Sequence, residues 1–152
     1  MKRQPLTMPH VPKIWLFSDE RMENSLLQVA ASLPVGSGVV LRHDGLGAAQ
    51  RYHMLRRLMR MARGRRLTVL LAGDAMLAKR WRAHGAHVRQ RDARRGRAVP
   101  GAGLTSMPVH SREEALRARS AVVNRAGQAA WQVLPLRGSD AGVLPRLRER
   151  AA

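Results

Sequence analysis

The sequence predicts an α/β fold built on parallel strands. Short continuous apolar runs at 38–41 and 67–72 have the length and composition of strands that are buried on both faces. Between them lies a segment, 48–63, whose apolar residues recur at helical spacing. Alternation of buried strands with amphipathic helices is typical of βαβ units, which pair their strands in parallel.

The first β/α unit begins after a proline-rich segment, 1–12, which we expect to be a loose arm. A short apolar strand is predicted at 14–17. Ser18 and Asp19 can cap the helix that follows, and Pro34 and Gly36 end it. The apolar positions of this helix recur at helical spacing: Met22, Leu26, Val29, Ala30 and Leu33.

The second helix is predicted from residue 48 to residue 63, with Gly64 as its stop. Its apolar stripe consists of Tyr52, Leu55, Leu58, Met59 and Ala62. The arginines lie away from this stripe or on its edges: Arg51, Arg56, Arg57, Arg60 and Arg63. They are interpreted as a solvated basic face, with a nucleic-acid phosphate footprint as the alternative.

The stretch 67–92 predicts a strand, a helix to about residue 84, and a second short strand. Asp74 and Asp92 then follow the carboxyl ends of neighbouring strands, at the edge where α/β folds bind ligands. Each acid has a structural alternative. Asp74 can cap its helix, and Asp92 can pair with nearby arginines on the surface.

The last third of the chain is less regular. After a basic, glycine-rich loop at 89–103, a weak strand is predicted at 104–107, and Ser111 with Glu114 forms a capping box for a helix to about 119. A final strand is predicted at 121–123. We therefore expect a domain over 13–123, followed by an irregular basic tail over 124–152.

Composition limits the partners of the chain. The 152 residues include 28 Lys and Arg against 10 acids, a net charge of +18, which raises nucleic acid as a partner. Arginine supplies nearly all of this charge, as a compositional bias would. No cysteine is present, so disulfides and thiolate metal sites are excluded. With no signal peptide and no run of about 18 apolar residues, we expect no membrane association and a cytoplasmic location.

Residues 83–92 read Ala-His-Gly-Ala-His-Val-Arg-Gln-Arg-Asp and resemble the Ala-Asp-Gly-Val-His-Leu-Gly-Gln-x-Asp signature of thiamine-phosphate synthases and their thiazole-tautomerase relatives. Four further segments are similar to motifs of the same family in the same order. They are 14–19, resembling Tyr-Leu-Ile-Thr-Asp; 39–42, resembling Gln-Leu-Arg-x-Lys; 73–74, resembling Asn-Asp; and 108–115, resembling Ser-x-His-Thr and the turn after it.

The resemblance implies a (β/α)8 barrel, although 152 residues alone fit an open doubly wound sheet more comfortably. It implies an enzyme that joins a pyrimidine pyrophosphate to a thiazole phosphate and releases pyrophosphate with Mg²⁺. Small phosphorylated substrates are the implied partners. Substrate and pyrophosphate binding would fall to Arg42, His87, Gln90 and His110, and metal binding to Asp74 and Asp92. His87 has a buried packing role as its alternative, and His110 a place in the turn before Ser111.

The chain departs from the family pattern at four functional positions: Val40, Asp44, Gly73 and Pro108 replace Gln, Lys, Asn and Ser. After residue 123 no family motif is found, so we expect an incomplete barrel of about five and a half units, as from a truncated or frameshifted gene. Weak or absent activity follows from these departures. The alternatives are a small basic nucleic-acid-binding protein and a non-catalytic relative that binds a thiazole phosphate.

Overall fold

The computed structural model describes residues 11–22, 24–89, 103–108, 111 and 113 of the chain. Within them, five strands form one parallel sheet in the order β1-β2-β3-β4-β5. The strands are β1 (Trp15–Phe17), β2 (Gly38–Leu41), β3 (Thr68–Ala72), β4 (Gly85–His87) and β5 (Leu104–Ser106). The helices are α1 (Leu26–Ser32), α2 (Ala48–Arg65) and α3 (Ala75–Arg80).

The strand order identifies how the sheet is wound. In a doubly wound sheet, the order in which the chain adds strands reverses at one point. Here every strand is added on the same side of the one before it. All three helices pack into one cluster against the same face of the sheet, through Leu26, Leu55 and Ala78 among others. Helices on one face of sequential parallel strands form the wall of a barrel. The prediction of parallel β/α units of the TIM-barrel type is therefore confirmed for the described residues.

Alternate residues of the strands build two separate clusters. Val39, Leu41, Val69 and Leu71 face the helices, and each is completely buried. Each such Leu stabilises the fold by about 2 kcal/mol. Val40, Leu70 and Ala72 face the opposite side, with Trp15 and Leu104 packed against them. The central strands β2 and β3 are therefore buried on both faces, as their continuous apolar runs predict.

On the sheet face opposite the helices, which we call the inner face, a large residue packs beside a small one. Trp15 pairs with Gly38 across β1 and β2, and a Cβ on Gly38 would overlap the Trp15 ring. The indole Nε1 also donates to the carbonyl oxygen of Pro12 at 2.8 Å. This packing explains why the chain has glycine at the start of a buried strand.

The predicted helix that begins at Ser18 and Asp19 is wrong in its first part. A 3₁₀ turn, Glu20–Met22, comes first, and α1 starts only at Leu26. The Asp19 carboxylate accepts the Arg21 N–H at 2.9 Å, which closes a local turn rather than a helix cap. The Ser18 hydroxyl is used elsewhere, by the end of β2.

The other two helices also end at different residues from those predicted. Gly64 does not stop α2, which continues to Arg65 and ends at Arg66 in the left-handed conformation, with φ 53°. The third helix stops at Arg80 rather than near residue 84, because the chain reverses at Arg82 with φ 58°. The His84 Nδ1 then accepts the Val69 N–H at 2.9 Å, so this residue belongs to the entry of β4.

Several predicted features lie outside the described residues, among them the strand at 121–123, the segment 124–152 and most of the arm at 1–12. The domain boundaries stay predictions. In the part of the chain that the structure describes, no helix is long and apolar enough to cross a membrane.

Candidate functional site at the carboxyl edge of the sheet

The carboxyl ends of the strands bring polar residues from different elements to one edge. Ala72, His87 and Ser106 pair across β3, β4 and β5. Arg42 follows the Leu41–Leu71 pair by one residue and so lies at the level of Ala72. Because residues two apart share a face, Arg42 and His87 lie on the inner face, as does Val40. The structure thus brings together two of the predicted binding residues.

His87 is held in place by two neighbours. Its Nδ1 lies 2.8 Å from the Ser106 Oγ, and its ring meets the Phe17 ring edge-on with centroids 5.3 Å apart. Burial lowers the pKa of His87 below its ordinary value, and the positive charges of Arg42 and Arg89 lower it further. His87 is therefore neutral at pH 7 and offers the edge a hydrogen-bonding ring without adding charge.

Asp44 connects two arginines at this edge. Its Oδ1 forms an ion pair with the Arg89 guanidinium and lies 3.5 Å from Nη2 of Arg51. Arg89 comes from the end of β4, Asp44 from the end of β2 and Arg51 from the first turns of α2. With Arg42, three guanidinium groups lie at this edge, together with the carboxylates of Asp44 and of Glu20, which accepts the Gly45 N–H.

Arg51 does not lie on a solvated basic face, so that interpretation is wrong for this residue. Its side chain is 12% exposed, and Nη2 donates to the carbonyl oxygens of Ala72 at 2.5 Å and Leu41 at 3.4 Å. The guanidinium therefore joins the ends of two strands. Burial lowers the pKa of Arg51, an effect that the carboxylate of Asp44 opposes.

A buried serine and histidine fix the start of the edge. The Ser18 Oγ accepts the Arg42 backbone N–H at 3.0 Å and lies 2.9 Å from the His43 Nδ1. Ser18 and His43 are both fully buried, and His43 is left-handed with φ 34°. Within the described part of the chain, the His43 Nε2 has no hydrogen-bond partner. The pair determines how the chain turns as Arg42 leaves β2.

Asp74 caps α3, as one of its two interpretations predicts: Oδ1 accepts the Met76 N–H at 2.8 Å. Among the described residues, no group of three or more His, Asp or Glu side chains could hold a metal ion. Asp92, the second predicted metal ligand, lies outside the described residues, as do Gln90 and His110. Asp74 is therefore the one predicted metal ligand that the structure describes, and Mg²⁺ sites in proteins usually use one or two carboxylates together with waters and phosphate oxygens.

Arg51 and Arg89 are the site residues that sequence reasoning missed. Arg51 shares its helix with arginines that are exposed, such as Arg60 and Arg63, so residue type and helical spacing do not separate it from them. Arg89 carries a usable signal, because it lies two residues after His87 and so shares its face. For Arg51 the signal is its place in the first turns of α2, directly beside the strand ends.

Comparison with known proteins bears on the whole β/α region. A family model described as thiamine monophosphate synthase (TMP-TENI) matches residues 14–130, from β1 past the last described residue. A search of curated proteins gave no match. A search of solved structures gave none either. The family match covers well over half of the 152 residues and agrees with the sequential parallel sheet. The chain therefore belongs to the thiamine monophosphate synthase family.

Proposed function

We propose that the chain is a thiamine-phosphate synthase-like transferase, which joins a pyrimidine pyrophosphate to a thiazole phosphate and releases pyrophosphate. The observation that carries this proposal is the placement of Arg42 and Arg89 at the carboxyl edge beside His87, with the Asp44 carboxylate paired to Arg89. Both substrates and the leaving group are phosphorylated, and guanidinium groups bind phosphate oxygens through paired hydrogen bonds.

The arrangement supports the reaction in two ways. Arg42 is exposed at the end of β2, so it can bind a diphosphate, while Arg89 provides a second positive charge two strands away. Positive groups fixed before the reaction stabilise the charge that develops on departing pyrophosphate as the thiazole nitrogen attacks. His87, neutral beside Ser106, is a candidate to orient a substrate through its ring nitrogen.

Mg²⁺ enters as part of the proposal through the family resemblance, with Asp74 and Asp92 as its ligands. Of these, only Asp74 is described, and one of its oxygens caps α3. Because Mg²⁺ usually takes one or two carboxylates with waters and phosphate oxygens, the metal would depend on Asp92 and the bound diphosphate as well as on Asp74.

Calorimetric titration with pyrophosphate, with and without Mg²⁺, tests the binding part of the proposal. We expect binding that weakens about tenfold or more in Arg42→Met, because a charged hydrogen bond to phosphate is lost. Arg63→Met is the matched control, since Arg63 is exposed on α2 about 22 Å along the helix from Ala48. No heat from the native chain, or equal effects of both substitutions, would contradict the proposal.

Pyrophosphate release from the two substrates tests the transferase step. Slow release that is lost in Arg42→Met would support it. Binding of both ligands without any product would instead support the alternative of a non-catalytic relative that binds a thiazole phosphate.

Nucleic-acid binding is the second candidate function. The observation in its favour is a row of exposed arginines on α2, Arg57, Arg60 and Arg63, spaced three residues apart on one face. Retention on immobilised DNA over a salt gradient tests it, because counterion release gives a steep salt dependence. Retention at high salt that falls in Arg60→Met but not in Arg42→Met would favour nucleic acid over the phosphorylated substrates.

A further inference from the structure

Asp44 is positioned between two cations that differ in how firmly they are held. Its Oδ1 contacts the Arg89 guanidinium directly and lies 3.5 Å from the Arg51 Nη2. The Arg51 side chain is 12% exposed and donates to two strand carbonyls, so it stays in place without Asp44. The Arg89 side chain is 28% exposed and the Asp44 side chain is 41% exposed, so solvent and ligands can reach their contact.

The contact spans three strands. β3 lies between β2 and β4, so the ends of β2 and β4 are about 10 Å apart. Gly73, directly after β3, leaves the intervening space free of a side chain, and a Cβ there would lie 4.0 Å from the Arg89 Nη2. The Arg89 guanidinium therefore lies across the carboxyl edge, where a ligand bound at Arg42 would meet it.

We propose that Asp44 is a built-in competitor for the phosphate-binding Arg89. It occupies the Arg89 guanidinium in the ligand-free protein, and a phosphoryl ligand displaces it. Asp44 then keeps Arg51 as its counter-ion, so no carboxylate is left unpaired. This inference rests on the proposed function, since it names how the same edge selects its ligand.

The competition sets a threshold for the ligand. An intramolecular carboxylate acts at a high effective concentration, so a ligand with one carboxylate exchanges an equivalent contact and does not displace it. A phosphoryl group has more charge and more acceptor oxygens for the planar guanidinium. The edge therefore favours phosphorylated ligands over simple carboxylates.

Calorimetry with pyrophosphate on Asp44→Asn tests the competition. We expect binding about fivefold tighter than in the native chain, the factor that corresponds to a partly exposed ion pair of about 1 kcal/mol. Acetate should show no detectable binding to the native chain and detectable binding to Asp44→Asn. Glu20→Gln is the charge-matched control at the same edge, because its amide oxygen retains the acceptor for the Gly45 N–H. An equal gain from Glu20→Gln would overturn the inference, since general electrostatics would then explain it.

The double variant Asp44→Asn/Arg89→Gln shows whether Asp44 acts through Arg89. The gain from Asp44→Asn should disappear in the Arg89→Gln background, and a gain that persists there would overturn the inference. The melting temperatures of the native chain, the two single variants Asp44→Asn and Arg89→Gln, and the double variant, all without ligand, test the ion pair independently of binding. If the changes in melting temperature of the two single variants add up in the double variant, the ion pair does not form. That result would overturn this inference and leave the proposed function standing. Non-additive changes with no pyrophosphate binding by any form, Asp44→Asn included, would overturn both the proposed function and the displacement.

Discussion

Replacement of the buried Arg51 by methionine is the sharpest test of how the carboxyl edge is held together. Arg51→Met keeps an unbranched apolar stem but removes the donor to the Ala72 carbonyl oxygen at 2.5 Å. A hydrogen bond from a charged group contributes about 2.5 kcal/mol. The contacts to Leu41 and Asp44, at 3.4 and 3.5 Å, are long and add little.

One effect opposes this loss. The Arg51 Nε is buried and has no hydrogen-bond partner within the described part of the chain, so its removal recovers about 1 kcal/mol. The net expectation for Arg51→Met is a loss of about 1.5 kcal/mol in the free energy of unfolding. For a chain of this size, that lowers the melting temperature by about 5 °C.

Thermal unfolding followed by circular dichroism, with urea unfolding as a second measure, provides the assay. Arg60→Met is the control, because Arg60 is exposed on the same helix and the same substitution there should change stability by no more than about 0.5 kcal/mol. If Arg51→Met unfolds at the same temperature as Arg60→Met, the hydrogen bond from Arg51 to the Ala72 carbonyl oxygen does not stabilise the fold, and the reasoning fails.

Three further predictions concern the glycines Gly85 and Gly64, the cap residue Asp74 and the partly buried His87. Gly85→Ala should destabilise the fold by about 3 kcal/mol or more, because the new Cβ would overlap the Leu104 backbone. Gly64→Ala should stabilise it by about 0.5–1 kcal/mol, because nothing lies near that position of α2. Urea unfolding of both variants measures the two changes. Asp74→Ala should lower the free energy of unfolding by about 1 kcal/mol through the lost helix cap, and Asp74→Asn should not. If both variants lose a Mg²⁺-dependent affinity for pyrophosphate, Asp74 binds the metal in addition to capping α3. Burial lowers the pKa of folded His87, so the unfolded chain takes up a proton first as the pH falls below about 6.5, and stability should drop there. His87→Gln should show a smaller drop in melting temperature between pH 7 and pH 5, and an unchanged drop would refute the assignment.

The central strands β2 and β3 could be predicted because they are buried on both faces. Such strands have unbroken apolar runs in their sequence, and the predicted strand at 38–41 agrees with β2 (Gly38–Leu41) residue for residue. Parallel pairing followed from the helices between the runs. The direction of winding did not follow from these local patterns, because sequential and reversed strand orders bury the same apolar residues. It was expected only from the family resemblance.

Helix ends and side-chain partners were harder to predict because they depend on residues distant in sequence. Ser18 is a good helix cap by type, yet its hydroxyl contacts Arg42 and His43 more than 20 positions later. Gly64 is a good stop by type, yet α2 continues through it, since a glycine on an exposed face costs only about 1 kcal/mol. In both cases the tertiary contacts of neighbouring residues outweigh a local preference.

The charge of the carboxyl edge depends on three elements together rather than on any one motif. Asp44 follows β2 where the resemblance would place a positive charge, Arg89 follows β4 and pairs with it, and Gly73 follows β3 beside the Arg89 guanidinium. A side chain at Gly73 would stand in that space, and its φ of 113° is one that residues with a Cβ rarely adopt. The substitutions at Asp44 and Gly73 look like separate losses when each is compared with a family pattern alone. In the folded chain both residues lie beside the Arg89 guanidinium, and the contact with Asp44 determines whether Arg89 is available to a phosphate.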